Sequence, residues 1–246
     1  MRRTLTIFKR ELAGYFVTPV AYVFIVIFLV LMGVFTFSRD LGNFYDNRQA
    51  DLRAFFFWHP WLYLLLIPAI SMRLWAEERK LGTIELLLTL PVTMTQAVIG
   101  KFAAAWAFAG IALLLTFPVW ITVNYLGEPD NTAILAGYVG SFLTSGGYLA
   151  IGACVSSLTK NQVIAFILST ACCFGFLMAG YPTVLDFFSG WLPATVTDAI
   201  GSFSFYTHYQ SISKGLIDAR DLVFYLTVIA FFLFANALIL DVKKAD

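Results

Sequence analysis

AILAGYVGSFLTSGGYLAIGACVSSL, residues 133–158, decides the fold class. It contains no charged residue and no proline. As a helix it reaches roughly 39 Å, more than the ~30 Å of bilayer hydrocarbon. Gly137, Ser141 and Ser145 step by four, and Gly152 and Ser156 continue the stripe. Small residues on one face let helix backbones approach closely. This leaves two readings open: packing within one bundle, or a dimer seam or translocation path.

Working outward, five more apolar stretches appear, at about 20–37, 55–72, 97–125, 163–181 and 222–240. Each is long enough to span, and none shows the period-two alternation of a barrel strand. Sixty per cent of the residues are hydrophobic and 13% charged, with mean hydropathy +0.80. A soluble domain carries about 25% charged residues. The expected fold is an all-α membrane protein of six transmembrane helices in a single domain, residues 1–246. The net charge of +1 gives no nucleic-acid signal. Cys154, Cys172 and Cys173 lie in apolar runs without zinc-site spacing and read as packing residues.

Before the first span, residues 1–18 form a basic amphipathic segment. Leu5, Phe8, Leu12, Tyr15 and Phe16 share one face and Arg3, Thr6, Lys9 and Arg10 lie away from it, which suits a helix in the headgroup region. Pro19 marks the turn into the membrane. With this end inside, eleven Lys and Arg fall inside (Arg2, Arg3, Lys9, Arg10, Arg73, Arg79, Lys80, Lys101, Lys160, Lys243, Lys244). Five fall outside (Arg39, Arg48, Arg53, Lys214, Arg220). The positive-inside rule then places both termini in the cytoplasm of a plasma (bacterial inner) membrane protein. The outer segment 182–221 is only half polar, and its aromatic and aliphatic residues predict short helices dipping into the outer interface.

Between the second and third spans lies WAEERKLGTIELLLTLPVTMTQAVIGK, from Trp75 to Lys101. A charged half, Glu77 to Lys80, precedes an apolar half that Gly82 opens and Pro91 closes. Leu81, Ile84 and Leu88 share a helical face. Such a helix packs on its own bundle or enters a groove on a soluble partner, and the residues alone do not choose.

The string E-E-R-x-x-G-T-x-E-x-L-L-x-x-P-V, Glu77 to Val92, resembles the hallmark of ABC-2 type exporter permeases. The exit of the fourth span, Ser156-Ser157-Leu158-Thr159-Lys160-Asn161-Gln162, is similar to that family as well. KRELAGYFVTPVAYV and FYTHYQSISKGLIDARDLVFY resemble its gliding-motility-type (GldF-like) branch. The resemblance implies a permease subunit that forms the translocation path of an exporter. It also implies a cytosolic coupling helix docked on a separate ABC ATPase subunit, which the first helix touches too. Coupling falls on Glu77, Glu78, Arg79, Gly82, Thr83, Glu85 and Pro91, with a second contact at Lys160 and Asn161. The implied partners are that ATPase, a second permease chain (a homodimer or a related chain), an accessory subunit and membrane lipid. ATP and Mg belong to the partner: GxxxxGK[ST] occurs nowhere in this sequence. A membrane anchor of an ATPase complex without cargo is the alternative. An embedded enzyme is disfavoured because no catalytic cluster gathers at one face.

His59 and His208 read as interfacial hydrogen-bonding residues, not metal or catalytic ones. Asp218, Arg220 and Asp221 read as a solvated entry to the last span, with Asp221 as its cap.

Overall fold

The computed structural model describes residues 2–42, 44–46, 48–83, 92–190 and 193–243. The protein is all-helical, with no strand among those residues. In chain order the helices are α1 (Arg2–Val17), α2 (Pro19–Phe37), α3 (Arg53–Ser71), α4 (Arg73–Leu81), α5 (Met94–Leu114) and α6 (Phe117–Leu126). They continue with α7 (Asn131–Leu158), α8 (Gln162–Met178), α9 (Pro182–Ser189), α10 (Ala194–Ser202), α11 (Phe205–Ser213) and α12 (Ala219–Val242).

Five stretches are long and apolar enough to cross a bilayer: α2, α3 with α4, α5 with α6, α7 and α12. A sixth is made by α8 if it is joined to α9, which bends away by 71°. The protein is therefore a multi-pass membrane protein with five to six spans. The expected third span is broken near its middle. Thr116 turns its hydroxyl back to the Leu113 carbonyl (2.6 Å) and meets the Tyr138 hydroxyl (3.0 Å), and Pro118 sits in the first turn of α6. Proline cannot continue the ladder but suits a first turn.

The charge-free helix α7 is the axis of the bundle. Its apolar window is 78% buried, against 22% for α2 and 28% for α12 at the periphery. Helices α3, α5, α8, α11, α12 and the short α4 all pack on it. Its small residues make this possible: Gly140 admits Ile212 and Gly147 admits the Phe205 ring. Hydroxyls tie the same surfaces, Ser141 to Tyr63 (3.0 Å) and Thr144 to Tyr225 (2.8 Å). An interhelical hydrogen bond in a bilayer contributes only about 0.6–2 kcal/mol, so close packing carries most of the association.

Two expectations are corrected. The packed face of α1 keeps Leu12, Tyr15 and Phe16 of the expected one but adds Ile7, which is buried, while Leu5 is half exposed. The packed stripe runs through Ile7, Glu11 and Tyr15, with Ile7 against Gly100 and the Tyr15 ring stacked 4.9 Å from Phe108. A glutamate belongs to this face because α5 presents a lysine to it. The second correction concerns α11, which is more than an interfacial helix. Phe205, Tyr209 and Ile212 are buried, and the Tyr209 hydroxyl donates to the Phe56 carbonyl (2.6 Å). The bundle core thus includes a helix from the segment before the last span.

Candidate functional site

At the end of the bundle that carries α1 and α4, a lysine is enclosed. Lys101, one turn into the apolar part of α5, is 4% exposed. Its Nζ lies 2.7 Å from Glu78 Oε1 on α4 and 3.4 Å from Glu11 Oε2 on α1. Arg10 holds the other oxygen of Glu11 at 2.7 Å, and the Trp75 ring faces the ammonium at 5.4 Å. Isolated, such an ammonium would cost several kcal/mol to desolvate, and two carboxylates with an aromatic face offset that. Burial raises the Glu11 pKa, but Lys101 foremost and then Arg10 outweigh it and hold the carboxyl below its ordinary 4.5. One ion cluster therefore fastens α1, α4 and α5 together. Beside it a cavity of about 590 Å³ opens among Arg10, Tyr15, Phe24, Arg73, Glu77 and Phe108.

A second set of bonds fastens α4 to the axis. The Ser156 hydroxyl on α7 donates to the Met72 carbonyl (2.9 Å) and accepts from the backbone N–H of Trp75 (3.2 Å) and of Ala76 (3.1 Å). The Arg79 guanidinium reaches the Ser157 carbonyl at 2.5 Å, and Lys243, the residue that follows α12, donates to the Leu158 carbonyl at 2.8 Å. The exposed carbonyls at the C-terminus of α7 are the electronegative pole of that helix, where cations are favoured. Three spans and a short polar helix thus meet at one point.

Across 5–240, nearly the whole chain, the sequence matches the family described as ABC-2 family transporter protein. The chain belongs to the ABC-2 transporter family. No curated protein matches it. An ABC-2 family protein of this kind is the membrane permease of an ABC transporter and not itself the ATPase, and the family works with an ABC ATPase subunit.

In this ABC-2 protein the anticipated coupling residues that fall among the described residues lie at the end just described, in different states. Glu77 is half-buried at the cavity edge. Glu78 and Arg79 spend their charges inside the chain, on Lys101 and Ser157. Gly82 ends α4 in the left-handed conformation (φ 70°), which glycine adopts without a Cβ penalty. The Thr83 hydroxyl turns back to the Glu78 carbonyl (3.3 Å). Glu85 and Pro91, with Ile84 and Leu88, lie outside the described residues. Lys160 is exposed, whereas Asn161 caps α8 by accepting from the Val163 and Ile164 amides. Gly137, Ser141, Ser145, Gly152 and Ser156 are all buried in contacts within the chain: Gly137 faces Phe56 and Gly152 faces Ser71. Sequence reading missed Lys101, Glu11 and Trp75 as members of the site. A lysine placed inside an apolar run was the one available signal.

At the opposite end, the expectation for Asp221 is corrected. Asp218 caps α12, accepting from the Arg220 amide (3.2 Å). Asp221 is instead buried, with Oδ1 2.6 Å from His208 Nδ1, and His208 Nε2 lies 2.9 Å from the Ser202 carbonyl. His208 thus has a carboxylate partner after all, and its ring stacks on Phe224 (4.0 Å). His59 is fully buried among aromatic rings, with Nδ1 3.0 Å from the Phe55 carbonyl, rather than at an interface. Among the described residues no group of His, Cys, Asp and Glu could hold a metal.

Proposed function

We propose that this ABC-2 protein is the permease subunit of an exporter of the gliding-motility-type branch. Two permease chains work with separate ATPase subunits that bind ATP and Mg. Both termini face the cytoplasm, and residues 77–91 dock on the ATPase. One observation carries the reading: α4, which leads into this segment, is fixed to α1 and α5 by the Lys101 cluster and to α7 by Ser156 and Arg79. A displacement imposed on the segment after Leu81 therefore reaches several spans at once. The charge asymmetry of the loops supports the sidedness.

The reading assigns Glu78 and Arg79 to holding α4 in place, and the exposed Leu81, Gly82 and Thr83 to the docking surface. The test is copurification from native membranes with Leu81→Cys as a crosslinking site. An ATPase subunit crosslinked through Leu81, with hydrolysis stimulated by the permease, is expected. Labelling at Asn47 and Lys80 should report opposite sides. An intact assembly that hydrolyses ATP but never crosslinks through this segment would overturn the docking assignment, and equal sidedness would overturn the topology.

A further inference from the structure

We infer that the Ser156 hydroxyl is a wedge that sets the angle at which α4 leaves α3, making Ser156 a positioning residue for the segment that α4 carries. In a continuous α-helix the Ala76 N–H would bond directly to the Met72 carbonyl, four residues back. Here the hydroxyl of another helix stands between them: it accepts from Ala76 at 3.1 Å and donates to Met72 at 2.9 Å, taking the Trp75 N–H (3.2 Å) as well. A side chain inserted into the i→i−4 ladder is one of the few recognised causes of a helix kink. The break between α3 and α4 falls at Met72.

The surroundings fit this assignment. The hydroxyl can reach the ladder because α7 comes very close here, and a Cβ at Gly152, one turn earlier, would collide with the Ser71 hydroxyl. Pro68, one turn before Met72, already lacks a donor and weakens the ladder on the α3 side. Ser156 is fully buried and its hydroxyl is saturated, with one proton given and two accepted. The neighbouring Ser157 differs, since its hydroxyl bonds back to Cys154 within α7 (2.7 Å).

Withdrawing the wedge would let Ala76 bond to Met72 directly and Ser156 bond back within its own helix. The wedged form and one without the wedge would therefore both keep their hydrogen bonds, which offers the joint two alternative settings. Over the length of α4, about 13 Å, a change of ~20° moves its tip by roughly 5 Å. That this tip matters for coupling rests on the function proposed above; the wedge itself does not.

The test uses the full-length chain in lipid nanodiscs with Cys172→Ser, and spin labels at Leu81 and Val163, both well exposed. Pulsed electron spin resonance measures the distance between them, with and without copurified ATPase. Ser156→Ala is expected to shift or split the distance distribution by about 5 Å. Ser156→Thr, which keeps the hydroxyl, and Ser157→Ala should both retain the wild-type distribution. With the ATPase present, Ser156→Ala should also lower the transport obtained per ATP hydrolysed while leaving subunit retention unchanged. If Ser156→Ala does not fold, Ser156→Cys, a weaker and longer donor, should shift the distribution in the same sense. Wild-type distances in whichever of Ser156→Ala and Ser156→Cys folds would overturn the inference. A distance shift without any change in coupling would uphold the wedge and count against α4 as the coupling element.

Discussion

Replacing Lys101 by methionine keeps most of the length of the unbranched side chain and removes its charge, leaving Glu78 and Glu11 facing each other without the ammonium between them. At an effective dielectric constant of 20, a unit pair at the observed 2.7 Å is worth about 6 kcal/mol gross, and at 3.4 Å about 5. Desolvating the ammonium cancels much of this, and truncating one partner of a buried pair typically costs about 3–5 kcal/mol net. The Glu78 and Glu11 side chains keep 20% and 22% exposure, and Arg10 still serves Glu11, so the lower part of that range applies. A loss of about 3 kcal/mol should lower Tm by roughly 6–12 °C at this chain length. The assay is thermal unfolding in nanodiscs, with Glu78→Gln added as the second arm of a double-mutant cycle. Removing the stranded charge should recover at least half of the loss. A Tm for Lys101→Met within a degree of wild type, or no recovery in the double mutant, would refute the account of Lys101 as the fastener of three helices.

Three further outcomes are expected. Because the Glu11 carboxyl is held below its ordinary 4.5, its contribution to docking α1 is fully present above that value and is lost as pH falls through the lower folded value; a fluorophore at the half-exposed Leu5 should report release of α1 in that acid range, and Glu11→Gln should abolish the dependence. Gly147→Ala puts a methyl into the Phe205 ring and should cost about 1–3 kcal/mol, visible as faster proteolysis within 193–213, whereas Gly175→Ala, which meets nothing, should be neutral in the same assay. His208→Ala leaves the Asp221 carboxylate buried without its partner and should loosen α11 in hydrogen exchange, with His208→Ala/Asp221→Asn restoring most of the protection.

The spans were legible because an uncharged run of membrane length admits few alternatives, and the 133–158 run emerged as α7 with its boundaries nearly unchanged. What stayed hidden depends on partners distant in sequence. Lys101 read as a loop charge because neither Glu11 nor Glu78 is near it in the chain. Asp218 and Asp221 both fit an N-terminal cap, and only the start of α12 at Ala219 assigns the cap to one and the His208 pair to the other. The stripe from Gly137 to Ser156 signalled close approach without naming the neighbour; here the contacts are with helices of the same chain. Half-polar sequence made α11 look interfacial, because the glycines that admit its large residues belong to α7.

The central place of α7 has a consequence for how the chain is made. Its window has mean hydropathy 1.4, half the 2.8 of α2, because glycine, serine and threonine replace leucine on its packing faces. A helix of that composition gains little from lipid and much from neighbours. During synthesis α3 and α5 precede it and can receive it as it enters the bilayer, but Tyr225 and Lys243, the partners of Thr144 and Leu158, are translated well after it. Until then the Thr144 hydroxyl has the Gly140 carbonyl of its own helix to hold (2.8 Å), while the face of α7 that receives α12 and the Leu158 carbonyl at its end lack those partners. The axis of the bundle is thus completed only once α12, well downstream of α7, has been made, so nascent chains halted before Ala219 present quality-control proteases with a half-covered, glycine-rich span.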